Sequence, residues 1–177
     1  MKTWLIIIMA VLATSAGTFA LLSWGQSSRD GAVAHTRTPK RLSDASRRIL
    51  DESERFVLLS LDPVQSKEPS TEAAEKFHSY PVLGRVEIKD ANQKRRLLRA
   101  LYKGVEDSDG TVARCFNPRH GIRAVSGTNW IELVICFECS YMQEYGTGSR
   151  HRATTTGSPA ETFNRVLKDA GVPITTK

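Results

Sequence analysis

Three cysteines and one histidine are the residues best equipped for chemistry in this chain. Cys115, His120, Cys136 and Cys139 all fall within the stretch Thr111 to Tyr145, TVARCFNPRHGIRAVSGTNWIELVICFECSYMQEY. Cys-x4-His followed by Cys-x2-Cys offers a Cys3His set, which borderline-soft Zn2+ accepts in tetrahedral geometry. Geometry argues against it, because positions i and i+3 of a straight strand face opposite sides. Both thiols of CFEC can reach one ion only where the chain turns. Thiol chemistry is the second reading. A CxxC pair is redox-active mainly at a helix N-terminus, where the dipole lowers a thiol pKa; this one follows the strand-like run WIELVI. A disulfide among three cysteines leaves one odd thiol. A Cys115/His120 nucleophile pair has a base but no evident third residue to orient it. In the third reading the cysteines are buried as small hydrophobes, and Arg119 and His120 hydrogen-bond within a turn. The four residues thus stand as candidate zinc ligands, with zinc the one cofactor considered and no catalytic residue assigned.

The elements that must position them read as strands over Val112 to Phe116, Ile122 to Ser126 and Trp130 to Phe137, with Gly127-Thr128-Asn129 as the loop between the last two. Pairing Ser126 with Trp130 sets His120 opposite Cys136 on one face, about 5 Å apart at Cβ. Alternatively Asn117 to Gly121 is itself a turn, with His120 at its tip. On a regular strand Cys139 shares a face with Ile131, Leu133, Ile135 and Phe137.

Around this stretch the pattern predicts a helix from Ser43 as N-cap to about Arg55, a buried strand FVLLSL over Phe56 to Leu61, and a strand VLGRVEIK over Val82 to Lys89. Residues Val64 to Tyr80 read as a loop. Asp90 can cap a helix ending at Gly104, with Leu97, Leu98, Leu101, Tyr102 and Val105 inward and Lys94, Arg95, Arg96, Arg99 and Lys103 outward. Ser158-Pro159-Ala160-Glu161 reads as a capping box opening a last helix with Phe163, Val166, Leu167 and Ala170 buried, closed by Gly171 and Pro173. The expected fold class is α+β: a mainly antiparallel sheet with helices packed on one face.

The chain begins with Trp4 to Trp24, which carries no charge across 21 positions. At about 1.5 Å per residue such a helix spans roughly the 30 Å of a bilayer core. Residues 1–25 are therefore expected to be a transmembrane anchor, or else a signal peptide cleaved near Ser23-Trp24-Gly25. Residues 26–41 read as a flexible basic linker and 42–177 as a single α+β domain. From Ile49 onward 18 Lys/Arg face 17 Asp/Glu, so five of the six net positive charges belong to the membrane-proximal segment. That weakens the argument for a basic nucleic-acid-binding face, and no nucleic-acid partner is expected. Basic residues after the span favour a cytoplasmic domain by the positive-inside rule; anchors of this kind, and a signal peptide, favour an extracytoplasmic or secreted one, which is the placement expected here.

No phosphate-binding Gly-rich loop, GxSxG elbow or HExxH is present, and there is no internal repeat. His78 and the pair Asp107/Asp109 read as isolated surface residues. CFNPRHGIRA followed by ELVICFECSYMQEY, with FVLLSLDP and FHSYPVLG upstream, resembles a family of uncharacterised bacterial proteins with an N-terminal membrane or export segment. The resemblance covers roughly residues 49 to 177. It implies one domain over Phe56 to Lys177 and a non-cytoplasmic place, and it carries no activity, cofactor or partner. The functional expectation is a membrane-tethered or exported binding or accessory domain, not an enzyme, attached to the membrane through its N-terminal helix, with no protein partner identified and no nucleic acid expected. The alternative is a zinc-binding or thiol-redox domain using the Cys3His set.

Overall fold

A run such as Phe56 to Leu61, apolar on both of its faces, is stable only inside a sheet that is covered on both sides. It forms β1 (Arg55–Leu61), and from Phe56 onward every residue of the strand is buried. The computed structural model describes residues 41–64, 75–146 and 149–175; the expected anchor or signal segment and the linker as far as Lys40 lie outside them. No helix among the described residues is long and apolar enough to cross a membrane.

Around β1 the chain builds one curled antiparallel sheet of seven strands. The others are β2 (Lys76–Phe77), β3 (Tyr80–Glu87), β4 (His120–Ser126), β5 (Asn129–Cys136), β6 (Tyr141–Gly146) and β7 (Ser149–Thr154), in the spatial order β2-β3-β1-β4-β5-β6-β7. Three helices, α1 (Asp44–Glu52), α2 (Ala91–Glu106) and α3 (Ala160–Asp169), complete the α+β architecture. Leu50 of α1, Leu97, Leu101 and Val105 of α2 and Phe163 and Leu167 of α3 join one cluster with Phe56, Leu58, Ile122, Leu133 and Met142. All three helices thus cover the same sheet face. The opposite face carries Val57, Leu59, Leu61 and Val134 under Phe77 and Tyr80.

Local chemistry sets the helix ends. Ser43 accepts the Ser46 N–H at 3.1 Å and starts α1. Asp90 accepts from Asn92 N–H at 2.9 Å and Gln93 N–H at 3.3 Å and starts α2. At the end of α3, Gly171 N–H donates to Lys168 O and Val172 N–H to Leu167 O, both at 2.9 Å, which is the Schellman pattern.

Several expectations change. The turn between β4 and β5 is two residues long, Gly127-Thr128, with Gly127 at φ +56°. A glycine in the first turn position suits a tight hairpin, and it shifts the pairing by one: Ser126 meets Asn129 and His120 meets Ile135, not Cys136. Residues Val112 to Phe116 form no strand, because the backbone of that loop bonds to the β5–β6 turn instead of to a ladder: Ala113 N–H reaches Cys139 O at 3.0 Å. β5 ends at Cys136, so Cys139 packs with Cys136 and Tyr141 rather than with Ile131, Leu133 and Ile135. The capping box at Ser158 does not form; Pro159 occupies the N-cap, and Ser158 Oγ pairs with Thr156 Oγ1 at 2.8 Å. Ala170 is exposed.

Gly104 does not end α2, which runs on to Glu106. It is there for close approach: a Cβ at this position would meet Pro159 Cγ at 2.5 Å and Thr155 Oγ1 at 2.7 Å. The gap lets the chain entering α3 lie directly on α2, with Thr156 N–H donating to Gly104 O at 2.9 Å. In an exposed helix Gly→Ala would stabilise by about 1 kcal/mol. Here overpacking opposes that gain, and Gly104→Ala is expected to lower stability by roughly 1–2 kcal/mol net. The denaturant midpoint reads the sign, and a rise would refute the close-packing account.

Candidate functional site

Cys136 and Cys139 are joined in a disulfide, with Cα atoms 5.1 Å apart. The chain turns between them, which a straight strand could not do. Cys139 N–H donates to Cys136 O at 3.2 Å, Ser140 N–H donates to Phe137 O at 3.2 Å, and Ser140 adopts φ +60°. Both cysteines are buried. The turn in turn holds the loop before β4: besides the Ala113 bond, Asn117 N–H donates to Cys139 Sγ at 3.3 Å, and Arg119 ion-pairs with Glu138. Phe116 stacks on Tyr141 at 4.6 Å between ring centroids.

The two residues enclosed by the disulfide, Phe137 and Glu138, form one wall of a cavity of about 170 Å³. Asn117, Arg119 and His120 form a second wall, and Ala160 and Asn164 of α3 with Ile174 and Thr175 close it. His120 is 4% exposed and lies between Phe137 and Phe163, at 5.1 and 5.8 Å. Its Nε2 pairs with Asn164 Oδ1 at 2.9 Å, so the hydrogen-bond pattern assigns the proton to Nε2 and leaves Nδ1 as an acceptor. Among the described residues Nδ1 is buried with no partner, as are Arg119 Nε and the hydroxyl of Ser60, the residue opposite His120 in the β1–β4 ladder. Burial pushes the His120 pKa down to about 4; the Asn164 bond opposes this and the Arg119 charge adds to it. The imidazole is neutral at pH 7. Because Arg119 is paired with Glu138, the cavity carries no net formal charge.

The four sequence-predicted ligands are therefore not brought together. Cys136 and Cys139 meet each other as a disulfide. The one-residue change of register turns His120 to the helix-covered face, whereas Cys136 lies on the other. Cys115 is an exposed free thiol that does not line the cavity; it interacts with Tyr141, whose pKa is raised by burial first and by neighbours that include Cys115. No group of three or more His, Cys, Asp or Glu side chains among the described residues is arranged to hold a metal ion. Asn164 is the orienting partner for His120 that sequence reasoning missed, and 44 residues separate the two. It does not complete a Cys115/His120 nucleophile pair, because the exposed Cys115 does not line the cavity that holds His120.

Sequence reasoning also misplaced His78. With Ser79 it forms the β2–β3 turn, at φ +48° and +77°. Its Nε2 lies 2.5 Å from Glu132 Oε2, and Glu132 Oε1 accepts from Arg123 Nε, also at 2.5 Å. The ring stacks on Tyr145 at 3.7 Å. Burial alone would push Glu132 up, but the bonds from His78 and Arg123 leave its carboxyl below the ordinary value. This group pins the β2–β3 turn onto the sheet face that no helix covers. It adds no nucleophile.

Two outcomes follow from this geometry. His120 holds its proton below about pH 4 in the folded chain and below the ordinary 6.5 in the unfolded chain. Between these values the unfolded state binds more protons, so stability is full above about pH 6.5 and falls as pH drops towards 4, a span on the order of 3 kcal/mol. Urea midpoints at pH 5 and pH 7 should differ clearly less in His120→Gln than in the parent; equal differences would refute a buried neutral histidine. The disulfide closes a ring across a sequence separation of 3. Replacing both cysteines by serine should cost roughly 2 kcal/mol by loop-closure entropy. The cost should be the same before and after chelation, and a larger cost with zinc present would favour metal ligation.

No family model, no curated protein and no solved structure matches this chain. The site's chemistry rests on its own geometry.

Proposed function

We infer that this chain is an exported or membrane-tethered binding domain, not an enzyme, and that its ligand site is the cavity between the CFEC turn and α3. One observation carries the reading: a buried neutral histidine, His120, has an unused acceptor beside a cavity whose wall the disulfide holds in place. The cavity also presents the amides of Asn117 and Asn164 and the hydroxyl of Thr175, side chains able to donate to and accept from a ligand. A cavity of about 170 Å³ is smaller than sites for drug-sized molecules. With no net charge at its walls, it suits an uncharged polar group: an amide or hydroxyl of a small molecule, or of one inserted partner side chain. A disulfide persists in oxidising compartments, which supports an extracytoplasmic domain. The uncharged segment Trp4 to Trp24 and the resemblance to exported or anchored bacterial proteins belong to the same reading. The alternative, zinc or thiol-redox chemistry, asks for Cys136 and Cys139 as accessible thiols, and both are buried and joined.

The test is the intact mass of the full chain recovered from its native compartment, sprayed natively and then denatured with an alkylating agent. We expect one alkylated thiol, Cys115, and a native mass excess that disappears in the Asn164→Leu variant. Three alkylated thiols with the excess of one zinc would overturn the reading in favour of metal binding.

A further inference from the structure

We propose that the exposed face of α2, with the cleft between α2 and α3, is a docking surface for the anionic phospholipid headgroups of a bilayer. The inference rests on the tethered reading above, because tethering is what would hold this face near a membrane.

Charge is the first observation. Within Ala91–Glu106, Lys94, Arg95, Arg96, Arg99 and Lys103 face one acid, Glu106, a surplus of four. Residues from Ile49 onward carry a surplus of only one in total, so the rest of that region is net acidic by three. α1 is net acidic by one and α3 is neutral. The near-zero balance of the domain therefore conceals one basic helix on an acidic body. Like charges on one helix face repel at i,i+3 and i,i+4 spacing. A solvated face needs no such concentration, whereas an anionic surface stabilises it.

The second observation separates structural cations from available ones. Lys94 Nζ is spent on Asp51 O at 2.9 Å and Ser53 O at 2.7 Å, tying α2 to the end of α1. Lys103 pairs with Asp107 at 2.9 Å, and Arg95 donates to Asn92. Among the described residues Arg96 and Arg99 have no hydrogen bond or ion pair, and both are exposed. They line a cleft of about 300 Å³ together with Gln93, Thr162, Arg165 and Asp169. Arg165 pairs with Glu161 at 2.5 Å, so the two free guanidiniums outweigh Asp169. Guanidinium forks match the oxygens of a phosphodiester, and the hydroxyl of Thr162 and the amide of Gln93 can donate as well.

The third observation is placement. The chain enters the described domain at Arg41, directly before α1. α1 lies against α2: the Tyr102 hydroxyl donates to Asp51 Oδ1 at 2.8 Å, and the Arg47 guanidinium sits 4.5 Å above the Tyr102 ring. The attachment point and the basic helix thus belong to one layer, on the same side of the sheet. The other sheet face, with Arg150 and Arg152 set over Tyr145 and Tyr141, is turned away.

The experiment is arginine-selective glyoxal modification of the full chain in vesicles of pure phosphatidylcholine, and in vesicles with about a third phosphatidylglycerol, read residue by residue by peptide mass. Modification of Arg96 and Arg99 should slow on the order of fivefold in the anionic vesicles, the factor expected for one basic group at a charged surface, while Arg150 and Arg152 remain unchanged. The protection should fade in high salt. Equal rates in the two vesicle types would overturn the docking surface. Resistance of the chain to alkaline extraction from the same vesicles reads the tether separately, so the two readings can fail independently. Protection of the same arginines by a single-stranded oligonucleotide, but not by anionic vesicles, would reassign the face to nucleic acid and overturn the proposal. In Arg96→Gln/Arg99→Gln, two exposed changes that leave the core intact, the salt-sensitive protection of Arg165 should be lost; its persistence would also count against the cleft.

Discussion

Burial of β1 on both faces is the constraint from which the rest of this structure follows. Phe56 and Leu58 point to one side, and Val57, Leu59 and Leu61 to the other, and none of them is more than 5% exposed. One antiparallel sheet cannot satisfy such a strand without a cover on each side. Three helices supply the first cover. The second has no helix. It is made from Phe77 and Tyr80, which flank the tight β2–β3 turn, and from Phe116 of an irregular loop. Such covers need fastening, since one has only a two-residue ladder and the other has none. The His78–Glu132–Arg123 group fastens one, and the disulfide-closed turn fastens the other. On this view the cysteine pair is a consequence of β1: it holds the piece of chain that shields the far side of the central strand.

The same fastening produces the cavity. Because Cys136 and Cys139 pin the turn, Phe137 and Glu138 have fixed positions, and Glu138 in turn holds Arg119. His120 follows Arg119 in sequence but faces the helices, so it is buried beneath the wall that Arg119 helps to form. Its loss of proton affinity is a desolvation effect of burial beside Phe137 and Phe163, and one hydrogen bond to Asn164 Oδ1 does not reverse it.

Much of this was legible in the sequence where a segment's period matches its cover. FVLLSL, the leucine stripe of α2 and the Phe163-Val166-Leu167 face were predicted and are buried as expected. β6 and β7 were not specified. Their residues, YMQEYG and SRHRAT, face the helix-covered core at Met142, Glu144 and Ala153, and a carboxylate in the core hides the alternation. Glu144 is tolerated there because Ser46 of α1 donates to it at 2.6 Å, a contact across 98 residues that no local pattern encodes. The site failed for a smaller reason. A loop counted as three residues instead of two moves a whole strand by one position, and one position exchanges the faces. That slip alone set His120 beside the cysteines.

A sheet with unlike covers also divides the labour of its surfaces. The helical side turns its apolar stripes inward and a polar exterior outward, so its outward face is free to vary in charge without disturbing packing. The opposite side mixes Arg123, Glu132, His78 and Tyr145 in contacts that hold the fold together, so charge changes there act on stability. A surface that must meet a partner and also keep its fold is best carried by the first kind. Arg96 and Arg99 lie exposed on the helical side, whereas Arg123, Arg150 and Arg152 on the other sheet face are each laid over an aromatic ring. On α2, Lys94, Arg95 and Lys103 are used within the fold, and Arg96 and Arg99 are the cations left for recognition.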